Sequence, residues 1–204
     1  SLEDALRVVY HRSRLMKRLA GKGRTASVEL SMEEAERAIE GYEDRLAVAG
    51  SNAPTASVLS GAPDALEEVL AKLRARRVFC RELRVDVAFH SPQMDAIVPE
   101  LEEALARVTP RAAAAPIYST VLAGPIDGAA LDARYWGRNV REPFRFAATV
   151  ECMVADDHVR FLEIGPHPVL SHAIEQSLQR LGREGAVLPS LHRNWPDRDV
   201  MLRS

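Results

Sequence analysis

Arg12 occupies a position where a charge is costly. Its helical neighbours at positions 5, 8, 9, 15, 16 and 19 are Ala5, Val8, Val9, Leu15, Met16 and Leu19, all apolar. A guanidinium inside such a stripe needs an anionic or hydrogen-bonding partner. Two readings are open. Arg12 forms a salt bridge to a protein carboxylate, or its planar fork holds a ligand carboxylate by two parallel bonds. Arg14 differs, because its helical neighbours include Arg7, His11, Lys17 and Arg18. His90 is the second candidate. It stands between Phe89 and Ser91, where a strand ends and a helix begins. An imidazole at such an edge can project into a cleft as a general base, or serve as a surface or capping residue. No serine or cysteine reads as a nucleophile. The chain has no Gly-x-Ser-x-Gly turn, and neither Ser57 nor Ser60 lies on a glycine-flanked elbow between strand and helix. His11, His158, His167, His172 and His192 lack metal-ligand spacing, Cys80 and Cys152 lack partners, and no glycine loop could cradle a phosphate. Lys72, Arg74, Arg76 and Arg77 form a local positive patch. It reads either as a solvated helix end or as a docking surface for an acidic protein.

The elements that would position these residues follow from pattern. A first helix is expected over Leu2 to about Ala20, ending at Gly21-Lys22-Gly23. Thr25 to Val85 then alternates compactly. A strand Thr25–Leu30 leads to the capping box Ser31-Met32-Glu33-Glu34 and a helix carrying Ala35, Ala38, Ile39, Tyr42 and Leu46. Strands Leu46–Ala49 and Thr55–Leu59 flank the turn Gly50-Ser51-Asn52-Ala53-Pro54. Pro63 opens a helix burying Leu66, Val69, Leu70 and Leu73, and Val78–Val85 is a fourth strand. The order βαββαβ is that of a ferredoxin-like split motif. A helix capped by Ser91 with Pro92 at its first position carries Met94, Ile97, Val98, Leu101, Leu105 and Val108. Beyond it come a strand Ile117–Leu122, a helix near Ala147–Ala155, a strand Val159–Ile164, the turn Gly165-Pro166-His167-Pro168, a helix to about Leu181 and a strand Val187–Leu191. The fold class is α/β, with a small insert inside a larger layer whose remaining strands are expected upstream of Ser1.

Composition narrows the function classes. The 204 residues are 47% hydrophobic, enough for a substantial core. Lys and Arg number 27 against 29 Asp and Glu, so a chain-wide grip on nucleic acid or an anionic membrane is disfavoured. No apolar run approaches a membrane span, no signal-peptide pattern stands at Ser1, and two distant cysteines fit a reduced, cytoplasmic setting. Ser1-Leu2-Glu3-Asp4 reads as a helix N-terminus in mid-protein.

At Val87-Ala88-Phe89-His90-Ser91-Pro92-Gln93-Met94-Asp95 the chain closely resembles the acyltransferase domains of type I polyketide synthases, relatives of the malonyl-CoA:acyl carrier protein transacylases of fatty-acid synthesis. Further matches run the whole length. They are Leu2-Glu3-Asp4-Ala5, His11-Arg12-Ser13-Arg14-Leu15-Met16, Gly50-Ser51-Asn52-Ala53-Pro54, the segment from Tyr135-Trp136 to Pro143-Phe144-Arg145-Phe146, and Leu162-Glu163-Ile164-Gly165-Pro166-His167-Pro168-Val169-Leu170. The resemblance implies an α/β-hydrolase-like large subdomain, residues 1–24 and 87–191, with an inserted ferredoxin-like small subdomain, residues 25–86. A linker follows over 192–204.

The resemblance also assigns roles. The family's catalytic histidine corresponds to His90. Its serine, in a Gly-His-Ser-x-Gly turn, would lie shortly before Ser1. The arginine that binds the free malonyl carboxylate corresponds to Arg12. Phe89, just before the histidine, goes with malonyl as extender unit, where a serine goes with methylmalonyl. Val87 departs from the usual pattern, which has His in malonyl-specific and Tyr in methylmalonyl-specific domains; an iterative or divergent synthase would account for it. Asn52 either orders the insert beside the site or serves the turn. The implied activity is ping-pong transfer of an extender acyl group from acyl-CoA to an acyl carrier protein through an acyl-serine. No cofactor is implied in this domain. Malonyl-CoA is the substrate, the phosphopantetheine arm belongs to the carrier protein, and the other domains of the same synthase are further partners. The alternatives are a stand-alone transacylase and a non-catalytic docking or scaffold module. A ferredoxin-like RNA binder is disfavoured by 5% aromatics, near-neutral charge and no aromatic pair on the insert strands.

Overall fold

The computed structural model describes residues 1–198 and 200. Helix α1, Leu2–Lys17, is capped by the Ser1 hydroxyl, which accepts from the Asp4 amide, and carries Glu3 and Asp4 in its first turn. It ends a turn sooner than expected, passing through irregular turns to Gly21. Val8, Leu15 and Leu19 are buried, whereas Ala5 and Val9, assigned to the same stripe from sequence, are exposed, Val9 by 62%. The buried arc is therefore narrower and centres on positions 8, 12, 15 and 19. Leu2, Leu6 and Tyr10 also face outward.

The next elements build one sheet. Strand β1, Arg24–Val28, leads to α2, Met32–Ala38, whose capping box has Ser31 and Glu34 satisfying each other's backbone amides. Strands β2, Leu46–Ala53, and β3, Ala56–Gly61, form a hairpin; α3, Pro63–Ala75, and β4, Cys80–Glu82, follow. The strand order β4-β1-β3-β2 is antiparallel throughout, as a split βαββαβ motif requires. Ala26, Val28, Val48 and Leu59 pack against Leu66, Leu70 and Leu73 of α3 and Ala35 of α2.

Two expectations need correction here. Gly50–Pro54 is not a turn, because β2 runs on to Ala53 and the chain reverses only at Pro54-Thr55. Register shifts between Val48 and Gly50 and between Ser51 and Ala53 absorb the irregularity as bulges. The fourth strand is also shorter than Val78–Val85. As an edge strand it pairs only with β1, and the chain leaves the sheet after Leu83, whose amide donates to the Thr25 carbonyl at 2.9 Å.

Beyond residue 86 the helix expected from Ser91 divides. A 3-10 turn, Pro92–Ala96, precedes α4, Val98–Ala104. Pro99 explains the break, because its ring has no amide to donate and clashes with the preceding helical turn. Met94, Ile97, Leu101 and Leu105 nevertheless form one core with Val8, Leu15 and Leu19. Strands β5, Ile117–Ser119, and β6, Gly124–Ile126, form a small hairpin. Helix α5, Ala133–Arg141, is capped by Asp132. Strand β7, Phe144–Arg145, then joins the first sheet, running parallel to β2 with Gly50 opposite Phe144 and Ser51 opposite Arg145. The sheet thus has five strands, ordered β4-β1-β3-β2-β7. Helix α6, Phe146–Ala155, strand β8, Arg160–Glu163, helix α7, Ser171–Arg180, and strand β9, Ala186–Pro189, complete the chain; β8 and β9 pair in parallel. The linker expected over 192–204 falls partly outside the described residues, at 199 and 201–204. Among the described residues no helix is long and apolar enough to cross a membrane.

Candidate active site

The segment carrying His90 is pinned from several sides. The Thr25 hydroxyl donates to the Val87 carbonyl at 3.2 Å, the Gly21 amide to the Asp86 carbonyl at 2.8 Å, and the Ser91 hydroxyl to the Ala88 carbonyl at 2.7 Å. Gly23 lets Ala88 approach closely, since a methyl group there would fall 2.5 Å from the Ala88 amide nitrogen. Between these anchors His90 adopts a left-handed backbone, φ 57°. A residue other than glycine holds that conformation only where its surroundings over-determine it, a pattern common at functional sites.

His90 is half-buried, and its Nδ1 lies 2.8 Å from the Glu142 carbonyl oxygen. A carbonyl can only accept, so Nδ1 carries the proton and Nε2 the free lone pair. The Phe144 ring meets the imidazole edge-on, centroids 5.3 Å apart. Burial lowers the pKa of His90, and the nearby Arg12 charge adds in the same direction, while the bond to Glu142 opposes both. The net effect favours the neutral, basic form.

Arg12 answers the choice left open by its sequence position. It makes no ion pair or hydrogen bond with any described residue, and its Nε is buried without a partner. Burial lowers its pKa, the sign for a desolvated cation with no anion beside it. The arrangement offers an unused, preorganised donor fork near a neutral imidazole. Phe89 is partly buried and packs against the core that holds Val8, Leu15 and Leu19 of α1 together with Val87 and Met94. Asn52 lies in the bulged end of β2, and its side chain bonds to no described residue. The structure thus brings His90 within reach of the Arg12 charge, with Phe89 next to His90 in the chain and packed on the core that α1 shares, and places Asn52 in β2 without a side-chain hydrogen bond to any of them.

Sequence reasoning missed the Glu142 carbonyl and the Phe144 ring. Any residue has a carbonyl, so its type gives no signal. Pro143 does give one, because the residue before proline is driven into extended backbone, and Glu142 at ψ 155° turns its carbonyl out of the helix. Ser57 and Ser60 are buried within the sheet and bonded to the Leu30 carbonyl and to Thr25. No His, Cys, Asp or Glu cluster among the described residues could hold a metal ion. In the basic patch, Lys72 donates to the Tyr42 hydroxyl and Arg74 pairs with Glu67 and Glu82. Half of that patch is therefore committed within the fold.

The whole chain, residues 1–204, matches the family model described as "Acyl transferase domain". The chain belongs to this family. It is 44% identical over 195 residues to the spectinabilin polyketide synthase system protein NorA' of Streptomyces orinoci, covering 95% of this chain and 5% of that protein. It is 40% identical over 206 residues to erythronolide synthase EryA2 of Saccharopolyspora erythraea, covering 100% of this chain and 6% of that protein. This acyl transferase chain therefore spans only a small part of these curated relatives. Among solved structures, the acyltransferase domain from module 8 of the salinomycin polyketide synthase superposes with a TM-score of 0.97 at 34% identity, covering 100% of this chain and 48% of that one. The malonyl CoA-acyl carrier protein transacylase of Clostridium perfringens shares the fold, with a TM-score of 0.86 at 21% identity. The α/β acyltransferase fold expected from sequence is the fold of this chain.

Proposed function

We propose that this acyl transferase chain serves a polyketide synthase by loading an extender acyl group, most favourably malonyl, from coenzyme A onto an acyl carrier protein. The observation that carries the reading is the His90–Glu142 bond beside an unpartnered Arg12. A histidine with Nδ1 committed to a carbonyl and Nε2 free is equipped to take a proton from a hydroxyl nucleophile. The nucleophile is a serine outside these 204 residues; it attacks the thioester carbonyl, His90 gives the serine's proton to the departing coenzyme A thiolate, and an acyl-serine remains. His90, neutral again, takes the proton of the phosphopantetheine thiol; the thiolate attacks the acyl-serine, the acyl group passes to the carrier protein, and the serine oxygen leaves and recovers the proton from His90. Arg12 holds the free carboxylate of the malonyl group by charge-assisted bonds. Phe89 occupies space that an α-methyl group would need. In this reading residues 25–86 form the small subdomain and 1–24 with 87–191 belong to the large one.

Intact-mass spectrometry after incubation with malonyl-CoA tests this. It is run on the 204 residues and on the protein extended through the preceding serine turn. A malonyl adduct on the extended protein alone supports the reading. No adduct on either favours a scaffold or docking module, and an adduct on the 204 residues places the nucleophile within them.

A further inference from the structure

The two ends of the His90–Glu142 bond come from segments that share one core, where Met94 and Ile97 after His90 join the same cluster as Val140 of α5. One is the loop before the Pro92–Ala96 turn; the other is the last residue of the α5 turn, before Pro143. Among the described residues one ion pair joins them: Arg141 Nε donates to Asp95 Oδ1 at 2.6 Å. Arg141 immediately precedes Glu142, and Asp95 lies on the short turn that follows His90. The Glu142 peptide is held elsewhere as well. Its amide donates to the Arg138 carbonyl at 2.7 Å, and its carboxylate accepts from Arg138 Nε and Nη2 at 2.7 and 3.0 Å. These contacts all lie within one helical turn and cannot set the distance to the histidine loop. On the other side, Gln93 Nε2 donates to the Lys22 carbonyl at 3.1 Å, which ties that loop to the end of α1 and not to α5. Met94, fully buried, anchors the turn in the same core as Val140 of α5, and the ion pair adds a directional polar contact to that apolar packing.

We propose that Asp95 and Arg141 are positioning residues that set the orientation of the His90 imidazole by fixing the spacing between its loop and the Glu142 carbonyl. The proposal rests on the reading of His90 as general base. Both side chains are partly exposed, so the pair contributes little to global stability. Its effect is local, where a misplacement of about 1 Å can cost about a hundred-fold in rate. Neither side chain has a hydrogen bond to His90, so the effect passes through the backbone of the two segments.

The test uses acyl transfer by the acyltransferase-bearing protein. Asp95→Asn and Arg141→Gln should each lower kcat about ten-fold, with KM nearly unchanged and thermal melting unaltered. The exchange Asp95→Arg with Arg141→Asp should recover most of the loss. On a His90→Gln background, Asp95→Asn should cost nothing further, because its effect passes through the imidazole. An unchanged kcat in both single variants overturns the proposal. So does an equal loss with and without His90, which would make the pair merely structural. If His90→Gln itself leaves transfer intact, the general-base reading fails, and the positioning role fails with it.

Discussion

Gly50 of β2 lies directly opposite Phe144 of β7, so closely that a methyl group on Gly50 would fall 2.5 Å from Cγ of the Phe144 ring and still closer to its carbonyl oxygen. That ring in turn meets the edge of His90. One glycine thus governs how near β2 comes to the strand that carries the ring against the His90 imidazole. Gly50→Ala should destabilise the protein by about 2–3 kcal/mol, since backbone on both sides cannot yield. It should also reduce acyl transfer in the molecules that remain folded. Thermal melting together with kcat at a temperature well below the transition checks both effects. A melting temperature equal to wild type would mean that the close approach relaxes without cost.

Arg12→Met separates stability from function. The guanidinium is desolvated and has no partner among the described residues, so removing it should leave stability unchanged or raise it. Malonyl transfer should fall about ten- to a hundred-fold, corresponding to about 1.5–3 kcal/mol for a lost charge-assisted bond. Acetyl transfer, which offers no second carboxylate, should change far less. Equal losses for the two acyl groups would make Arg12 structural.

The acid limb of kcat/KM should lie below 6.5, the ordinary value for histidine, because burial first and the Arg12 charge second disfavour imidazolium. The sign carries over to stability. Between the lowered folded value and the ordinary unfolded one, the unfolded state binds more protons, so His90 makes stability fall as pH drops through that window. Arg12→Met removes one of the lowering influences and should move the limb upward. A pH–rate profile of both proteins checks the order.

Phe89→Ser should raise methylmalonyl use relative to malonyl, by an amount corresponding to about 1–3 kcal/mol for one methyl's room. The structure adds a cost that the sequence did not show. Phe89 packs against a buried apolar core, so the variant should also melt at a lower temperature. Competition between the two acyl-CoA substrates, read by mass spectrometry of the carrier protein, measures the ratio. An unchanged ratio locates the selectivity elsewhere.

Much of this was legible in the sequence for physical reasons. The capping box at Ser31, the helical apolar spacing of α3 and the position of Arg12 on a buried arc are all local patterns, and local patterns survive without knowledge of the partner surface. Helix α5 was missed although its sequence carries two local signals. Ala133, Trp136, Gly137 and Val140 repeat at helical spacing, with Val140 in the core and Ala133 and Trp136 packed against it. Asp132, whose side chain accepts from the Tyr135 amide, is the cap that precedes them. Strand β7 was invisible for another reason. Two residues carry no alternation, and they form a strand only because Gly50 waits in a sheet more than ninety positions upstream. The His90–Glu142 bond joins a side chain to a backbone atom, and no residue type announces the backbone half.

The five-stranded sheet also bears on how such chains could be recombined. Four of its strands come from the continuous stretch between Arg24 and Glu82, but the fifth, Phe144–Arg145, comes from far downstream. A graft that swaps only residues 25–86 between two related proteins would mate one parent's Gly50 with the other parent's Phe144, across a close backbone approach in that sheet and next to His90. Crossover points that move residues 143–146 together with the insert would keep that fit within a single parent.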